Sequence, residues 1–264
     1  MPDPLNPELS SDAIWNSIRE EAQQQAAAEP ILASFFHASI LNHQRLEDAL
    51  SFHLANKLDS LAAPAMQIRE VLQLAFNSEP SIGAAIRADL IAINERDSAC
   101  DNLTTAFLFF KGFHALQSHR VGHWLWTHQR KELALFLQNQ ISSVFAVDLH
   151  PAARIGQGIM FDHATGIVVG ETAVIEDNVS IMQSVTLGGT GKESGDRHPK
   201  IRAGVMIGPG AKILGNIEVG EGAKVCAGSV VLKPVAARTV VAGVPAKVVG
   251  MADSQPARDM NQAI

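Results

Sequence analysis

Cysteine is almost missing from this 264-residue chain: Cys100 and Cys226 are the two, far apart in sequence and without CxxC spacing. That excludes a disulfide framework and a zinc knuckle as organising devices, and it makes a reducing, cytoplasmic compartment the expectation. A basic excess is missing too. The formal net charge of -6 excludes a general nucleic-acid binder, which needs a cationic face against phosphates. No apolar run approaches the ~20 residues of a membrane span. The most apolar early stretch, Phe107 to Phe110, is closed off by Lys111, and the opening MPDPLNPELSSD has no basic segment leading into an apolar one, so neither membrane insertion nor a secretory signal is expected. His119 and His123 stand four apart, but no HExxH motif or third ligand accompanies them, and no metal is assigned.

What remains is an ordinary globular composition, 47% hydrophobic and 18% charged, in a chain long enough to bury one large core or two modest ones. From about Ser11 to Val147 apolar residues recur at three- and four-residue spacing, as in Leu46, Leu50, Leu54, Leu58 and Leu61, or Ile68, Val71, Leu72, Ala75 and Phe76. That is helical amphipathicity. Pro30 ends the first helix, Pro64 fits the first turn of another, and Ser78-Glu79-Pro80 reads as a helix start with proline just inside. The histidines of this half (His37, His43, His53, His114, His119, His123 and His128) read as core or interface residues.

Beyond His150 the period becomes six. Apolar residues fall at Ile155, Phe161, Ile167, Ala173, Val179 and Val185, then at Ile201, Ile207, Ile213, Val219, Val225 and Val231. The step of 16 from Val185 to Ile201 is two hexads and four residues more, placing an inserted loop at 188–200. Three positions after the beat come Gly158, Gly170, Gly188, Gly204, Gly210, Gly222 and Gly228, with Asn216 in the same phase, residue types that tolerate positive φ and let the chain turn once per hexad. A β-sandwich would not hold one period across so many elements. The pattern resembles that of the hexapeptide-repeat transferases, and the resemblance implies stacked coils of three hexads, about 18 residues each, which would place Ile155 on Ala173 and Ile207 on Val225.

Two further stretches, DLHPAARIGQGIMFDHATGIVVGETAVI and SVTLGGTG with GDRHPKI, closely resemble the serine acetyltransferase family, a likeness that extends upstream through FFKGFHALQSHRVGHWLW. The resemblance implies an α+β chain: an α-helical N-terminal domain over 1–147, a left-handed parallel β-helix over 148–250 carrying the inserted loop 188–200, and a flexible C-terminal tail over 251–264. The left hand comes from the resemblance alone, since crossover preferences favour the opposite. It also implies the activity, transfer of acetyl from acetyl-CoA to the hydroxyl of L-serine on the route to cysteine.

A serine hydroxyl is a poor nucleophile at neutral pH, so attack on a thioester needs a base with pKa near 7. By resemblance His163 is that base and Asp148 orients it, while His198 or a backbone N–H of the loop stabilises the oxyanion. Arg197 would grip the substrate carboxylate, with Asp97 and Asp162 receiving its ammonium group. Gly189, Pro209 and Ala227 would line the acetyl-CoA groove; Lys212, Lys224 and Lys233 read either as phosphate contacts or as solvated edge lysines. Spacing alone leaves His163 with Asp162 readable as a surface pair. The resemblance further implies a homotrimer with sites between subunits, pairing of two trimers through the helical half, feedback inhibition by L-cysteine, and capture of Ile264 by O-acetylserine sulfhydrylase. Rival readings are a hexapeptide acetyltransferase for a sugar or other small acceptor, a γ-class carbonic anhydrase type of hydratase, and a scaffold that only trimerises.

Overall fold

The computed structural model describes residues 12–191, 194–252 and 254–262. The first half is helical: α1 (Ala13–Ala28), α2 (Ala33–Phe36), α3 (Leu46–Lys57), α4 (Ala65–Ser78), α5 (Pro80–Arg96), α6 (Leu103–Phe109), α7 (Lys111–Thr127) and α8 (Lys131–Phe145). Local chemistry sets their ends. The Asp12 carboxylate accepts the Trp15 N–H at 3.1 Å to cap α1, and Pro80 opens α5 where its missing N–H costs nothing. Leu46, Leu50, Leu54 and Leu58 are fully buried, as the spacing predicts, but Leu61 lies past the end of α3 and is fully exposed. Among the described residues no helix is long and apolar enough to cross a membrane.

From Asp148 the chain winds as a parallel β-helix. The first coil is β1 (Asp148–Leu149), β2 (Arg154–Ile155) and β3 (Met160–Asp162); the second is β4 (Val168–Val169), β5 (Val174–Ile175) and β6 (Ser180–Met182). Next come β7 (Thr186–Gly188), β8 (Lys200–Ile201) and β9 (Met206–Ile207), then β10 (Lys212–Leu214), β11 (Glu218–Val219) and β12 (Lys224–Val225). Finally β13 (Val230–Val231) leads to β14 (Thr239–Ala242), which pairs antiparallel with β15 (Lys247–Met251). Three sheets result: sheet A from β1, β4, β7, β10 and β13; sheet B from β2, β5, β8 and β11; sheet C from β3, β6, β9, β12, β14 and β15.

The register corrects the even repeat in two places. Asp148 pairs with Val168, Arg154 with Val174 and Met160 with Ser180, an offset of 20 rather than 18, so Ile155 stacks on Ile175 and not on Ala173. Ile207 stacks on Val225 as expected. The two additional residues sit in the corner between β3 and β4. They escape notice because Ile167 and Val169 are both buried, and a slip of two along a strand returns to the same face. The loop between β7 and β8 is longer than the beat suggests for a different reason: Thr186 pairs with Lys212, an offset of 26, eight beyond a regular coil, so one of the two hexads counted there belongs to the loop and forms no strand. Gly158, Gly204, Gly210, Gly222 and Gly228 take positive φ as expected, but Gly170 and Gly188 do not; Gly166, Asn178, Ser184 and Gly215 turn the chain instead of them and of Asn216.

A buried ion pair joins the halves. Asp89 on α5 is fully buried and accepts from Arg120 Nη2 (2.6 Å), Gln117 Nε2 (2.9 Å) and the Ile159 N–H (2.9 Å), while Arg120 donates onward to the Gly156 carbonyl (2.7 Å). Residues 256–262 pack against the β-helix: α9 (Pro256–Asp259) buries Ala257, whose carbonyl accepts from Ser180 Oγ (2.7 Å), and Gln262 reaches Met182. Small Ala257 lets this turn approach β9 and α5 closely, which no repeat pattern announces. Ile264 lies outside the described residues.

Arg120→Met is expected to strand the Asp89 charge and destabilise the protein by about 3–5 kcal/mol, readable by denaturant unfolding; a loss under about 1 kcal/mol would refute the role of this pair. The helical half also stores an acid sensitivity. Burial depresses His53 to about 4 and His119 to about 3, and holds His114 well below its ordinary value of 6.5. With folded values below the unfolded one, their stabilisation is complete above about pH 6.5 and is lost as pH falls toward 4 and 3. Melting temperature should fall across that window, less steeply in His53→Phe.

Candidate functional site

The corner between β3 and β4 is unusual in backbone as well as length. His163 and Ala164 are consecutive non-glycine residues at φ 54 and 62, a left-handed pair that costs conformational energy and is held by its surroundings. Gly112 on α7 supplies part of that hold: a Cβ there would come within 2.1 Å of the Phe161 carbonyl oxygen, so only glycine lets the helix press against the corner. Lys111 donates to the Thr165 hydroxyl just beyond it. The His163 side chain is thrown outward, 74% exposed, with Nε2 3.8 Å from Asp162 Oδ1.

Burial raises the Asp162 carboxyl above its ordinary range, His163 opposes this, and the nearby Asp97 charge adds to it. Asp97, His163 and Asp162 line one cavity of about 610 Å³ with Lys111, Phe109 and Phe110. Pro209 and Ala227 occupy the same edge of the prism two and three coils further on, where sheet C turns into sheet A; the Gly228 N–H donates to the Pro209 carbonyl at 2.8 Å.

The other predicted residues gather at the next edge, where sheet A turns into sheet B. The inserted loop leaves at Gly189 and returns through Arg197 and His198. Arg197 Nη2 donates to Glu171 Oε2 at 2.7 Å, and His198 is buried with its ring on Gly170. Burial first, then the Arg197 charge, lower the affinity of His198 for a second proton. His150 joins this cluster half-buried, its Nδ1 accepting the Ala152 N–H at 3.1 Å; burial lowers it too, against the pull of Glu171 and Asp148. Asp148 itself accepts from Gln138 Nε2 at 2.7 Å.

The predicted residues thus fall into two groups on two edges. Among the described residues no hydrogen bond or ion pair joins Asp148 to His163, nor Arg197 or His198 to Asp97 or Asp162. Sequence reading missed His150, Gly170, Glu171 and Thr172. Gly170 sat in the phase assigned to corners, yet its task is to leave room for an imidazole. The available signal was topological: a loop that leaves the solenoid must be anchored on returning, and residues 170–172 occupy the same corner one coil earlier.

Two family models match the chain: "Serine acetyltransferase, N-terminal" over residues 14–118, and "Bacterial transferase hexapeptide (six repeats)" over residues 198–233. The serine acetyltransferase of Escherichia coli strain K12 is 61% identical over 252 residues, covering 95% of this chain and 92% of that protein. Among solved structures, a serine acetyltransferase in complex with cysteine superposes with TM-score 0.94 at 60% identity, covering 95% of this chain and 98% of that one. The Brucella abortus serine acetyltransferase in complex with coenzyme A gives 0.91 at 50% identity, covering 93% and 98%.

Gly170→Ala puts a methyl group 2.0 Å from His198 Nε2 and 2.1 Å from Cδ2 at a position whose φ suits alanine. A crystal structure of the variant is expected to show the intact β-helix with the His198 ring turned away; an unmoved ring would refute the contact.

Proposed function

Because the chain belongs to the serine acetyltransferase family, we propose that its two edge clusters are the halves of one active site, completed when a second copy brings its loop edge against the His163 edge. The enzyme is an acetyl-CoA-dependent serine O-acetyltransferase: it converts L-serine and acetyl-CoA into O-acetyl-L-serine and CoA. The reading of the site rests on one observation, the complementary charge of the two edges. Asp97 and Asp162 with an exposed imidazole stand on one, Arg197 with a buried imidazole on the other, and serine presents an ammonium for the carboxylates, a hydroxyl for the exposed imidazole and a carboxylate for Arg197.

In this reading His163 takes the proton of the serine hydroxyl as its oxygen attacks the thioester carbonyl carbon. The oxyanion receives a hydrogen bond from His198 Nε2, and collapse expels the CoA thiolate, which takes the proton back from the imidazolium. Asp148 orients the imidazole across the seam, Arg197 exchanges its Glu171 contact for the substrate carboxylate, and Asp97 and Asp162 receive the ammonium. The edge carrying Pro209 and Ala227, facing Gly189 of the adjoining loop, accommodates the pantetheine arm. A trimer supplies three such seams, and two trimers pair through the helical half. L-cysteine, which shares the ammonium and carboxylate of serine, competes there as feedback inhibitor, in keeping with the cysteine complex of the relative. The setting is cytoplasmic, and the C-terminal Ile264 is the contact offered to O-acetylserine sulfhydrylase.

Thiol release from acetyl-CoA should depend on L-serine and fall with added L-cysteine. His163→Ala is expected to lower kcat by about 100-fold or more, from loss of the base, with the oligomer intact by light scattering. Release undiminished in that variant would overturn the assignment.

A further inference from the structure

Hydrogen-bond donation by His198 requires the ring proton to sit on Nε2, and the chain contains a device that places it there. We propose that Thr172 is a positioning residue: it locks His198 as the Nε2–H tautomer and pins the returning end of the inserted loop, so that this imidazole serves as a donor and never as a base. The inference rests on the donor role given to His198 above.

Three contacts decide the tautomer. The Thr172 backbone N–H donates to His198 Nδ1 at 3.2 Å, so Nδ1 is an acceptor and carries no proton. The Thr172 hydroxyl oxygen accepts the backbone N–H groups of Arg197 (3.0 Å) and His198 (3.1 Å). With both lone pairs engaged, the hydroxyl hydrogen is directed to Nδ1, 2.9 Å away. The Asp196 carboxylate feels the same hydroxyl, more weakly than it feels Lys200, but hydrogen-bond geometry is met at Nδ1. Lys200 Nζ clamps the arrangement by donating to the carbonyls of Thr172 (2.8 Å) and His198 (2.9 Å).

Among the described residues no other imidazole near the site is held this way. His150 Nδ1 accepts one backbone N–H, and His163 has only a carboxylate 3.8 Å from Nε2. The hydroxyl therefore separates two roles: His163 keeps a nitrogen free to accept a proton, and His198 has none to spare. Thr172→Val keeps the shape and the backbone N–H but deletes the hydroxyl, orphaning two loop N–H groups and releasing half of the hold on Nδ1.

The test uses the assembled enzyme and thiol release. Thr172→Val is expected to lower kcat about 10- to 100-fold with the KM for acetyl-CoA within about threefold of the parent, while Thr172→Ser, which restores the hydroxyl, stays within about threefold in kcat. The Thr172→Val, His198→Ala double variant should be no slower than His198→Ala alone, because the threonine acts through the imidazole. Thr172→Val at parental kcat beside an impaired His198→Ala overturns the proposal and spares the role of His198. An unimpaired His198→Ala overturns both. A readout on the unaltered protein is ¹⁵N correlation spectroscopy: His198, assigned by the single signal lost in His198→Ala, should show Nε2–H; an Nδ1–H signal overturns the lock.

Discussion

The strands of the β-helix are mostly two or three residues long, too short to hold a side chain in place by themselves. Position is carried instead by the parallel hydrogen bonds between coils, which tie each corner to the one above it and set its angular place on the prism. Once that register is fixed, every residue leaving the repeat is aimed: the two residues added between β3 and β4 push His163 off one edge, and the loop between β7 and β8 brings Arg197 and His198 back onto the next. The repeat is the frame, and its two interruptions carry the residues of the proposed site.

The frame also decides protonation. Three imidazoles near the site differ in burial and in what faces their nitrogens. His163 stands in solvent beside a carboxylate, His150 is half-buried with one nitrogen bonded to backbone, and His198 is buried with a cation beside it and two donors on one nitrogen. A base must have a lone pair within reach of the hydroxyl proton, whereas an oxyanion donor must already hold a proton and resist gaining another. Burial and the Arg197 charge push His198 toward the second state. Roles that look interchangeable as letters in a sequence are thus set by surroundings.

Much of this was legible beforehand. The change of period near residue 148 and the helical core residues followed from apolar spacing alone, and the stacking of Ile207 on Val225 from that spacing together with the coil length that the family resemblance implies. The failures share a cause. A strand repeats every two residues, so an insertion of two leaves the apolar pattern unbroken and hid the lengthened corner beside His163. Gly170 was assigned a turn because glycine so often turns the chain; its φ is ordinary, and the space it leaves for the His198 ring appears only when the loop folds back. Leu61 kept the helical beat past the end of its helix. Thr172 was marked only by its corner and not by its residue type, since a threonine in a strand-rich repeat is unremarked until its hydroxyl is seen to meet three partners. The site residues themselves were reached through family resemblance and not through spacing.

The separation of the two clusters follows from the same geometry. His163 and His198 stand on different edges of the prism, and between those edges lies the width of sheet A, on the order of 10–15 Å at ~3.3 Å per strand residue with its flanking turns. Neither imidazole nor the Arg197 fork reaches across that face, and the coils cannot bend to close it, because each is hydrogen-bonded to the next. A substrate needing both clusters therefore needs two chains placed edge to edge. In the assembly we propose, rotational symmetry supplies that placement at no added cost in sequence, because one chain presents both edges and a closed ring of copies would set every His163 edge against a neighbour's loop. Rigidity that keeps the two edges apart within one chain would, in that assembly, make a reproducible site between two.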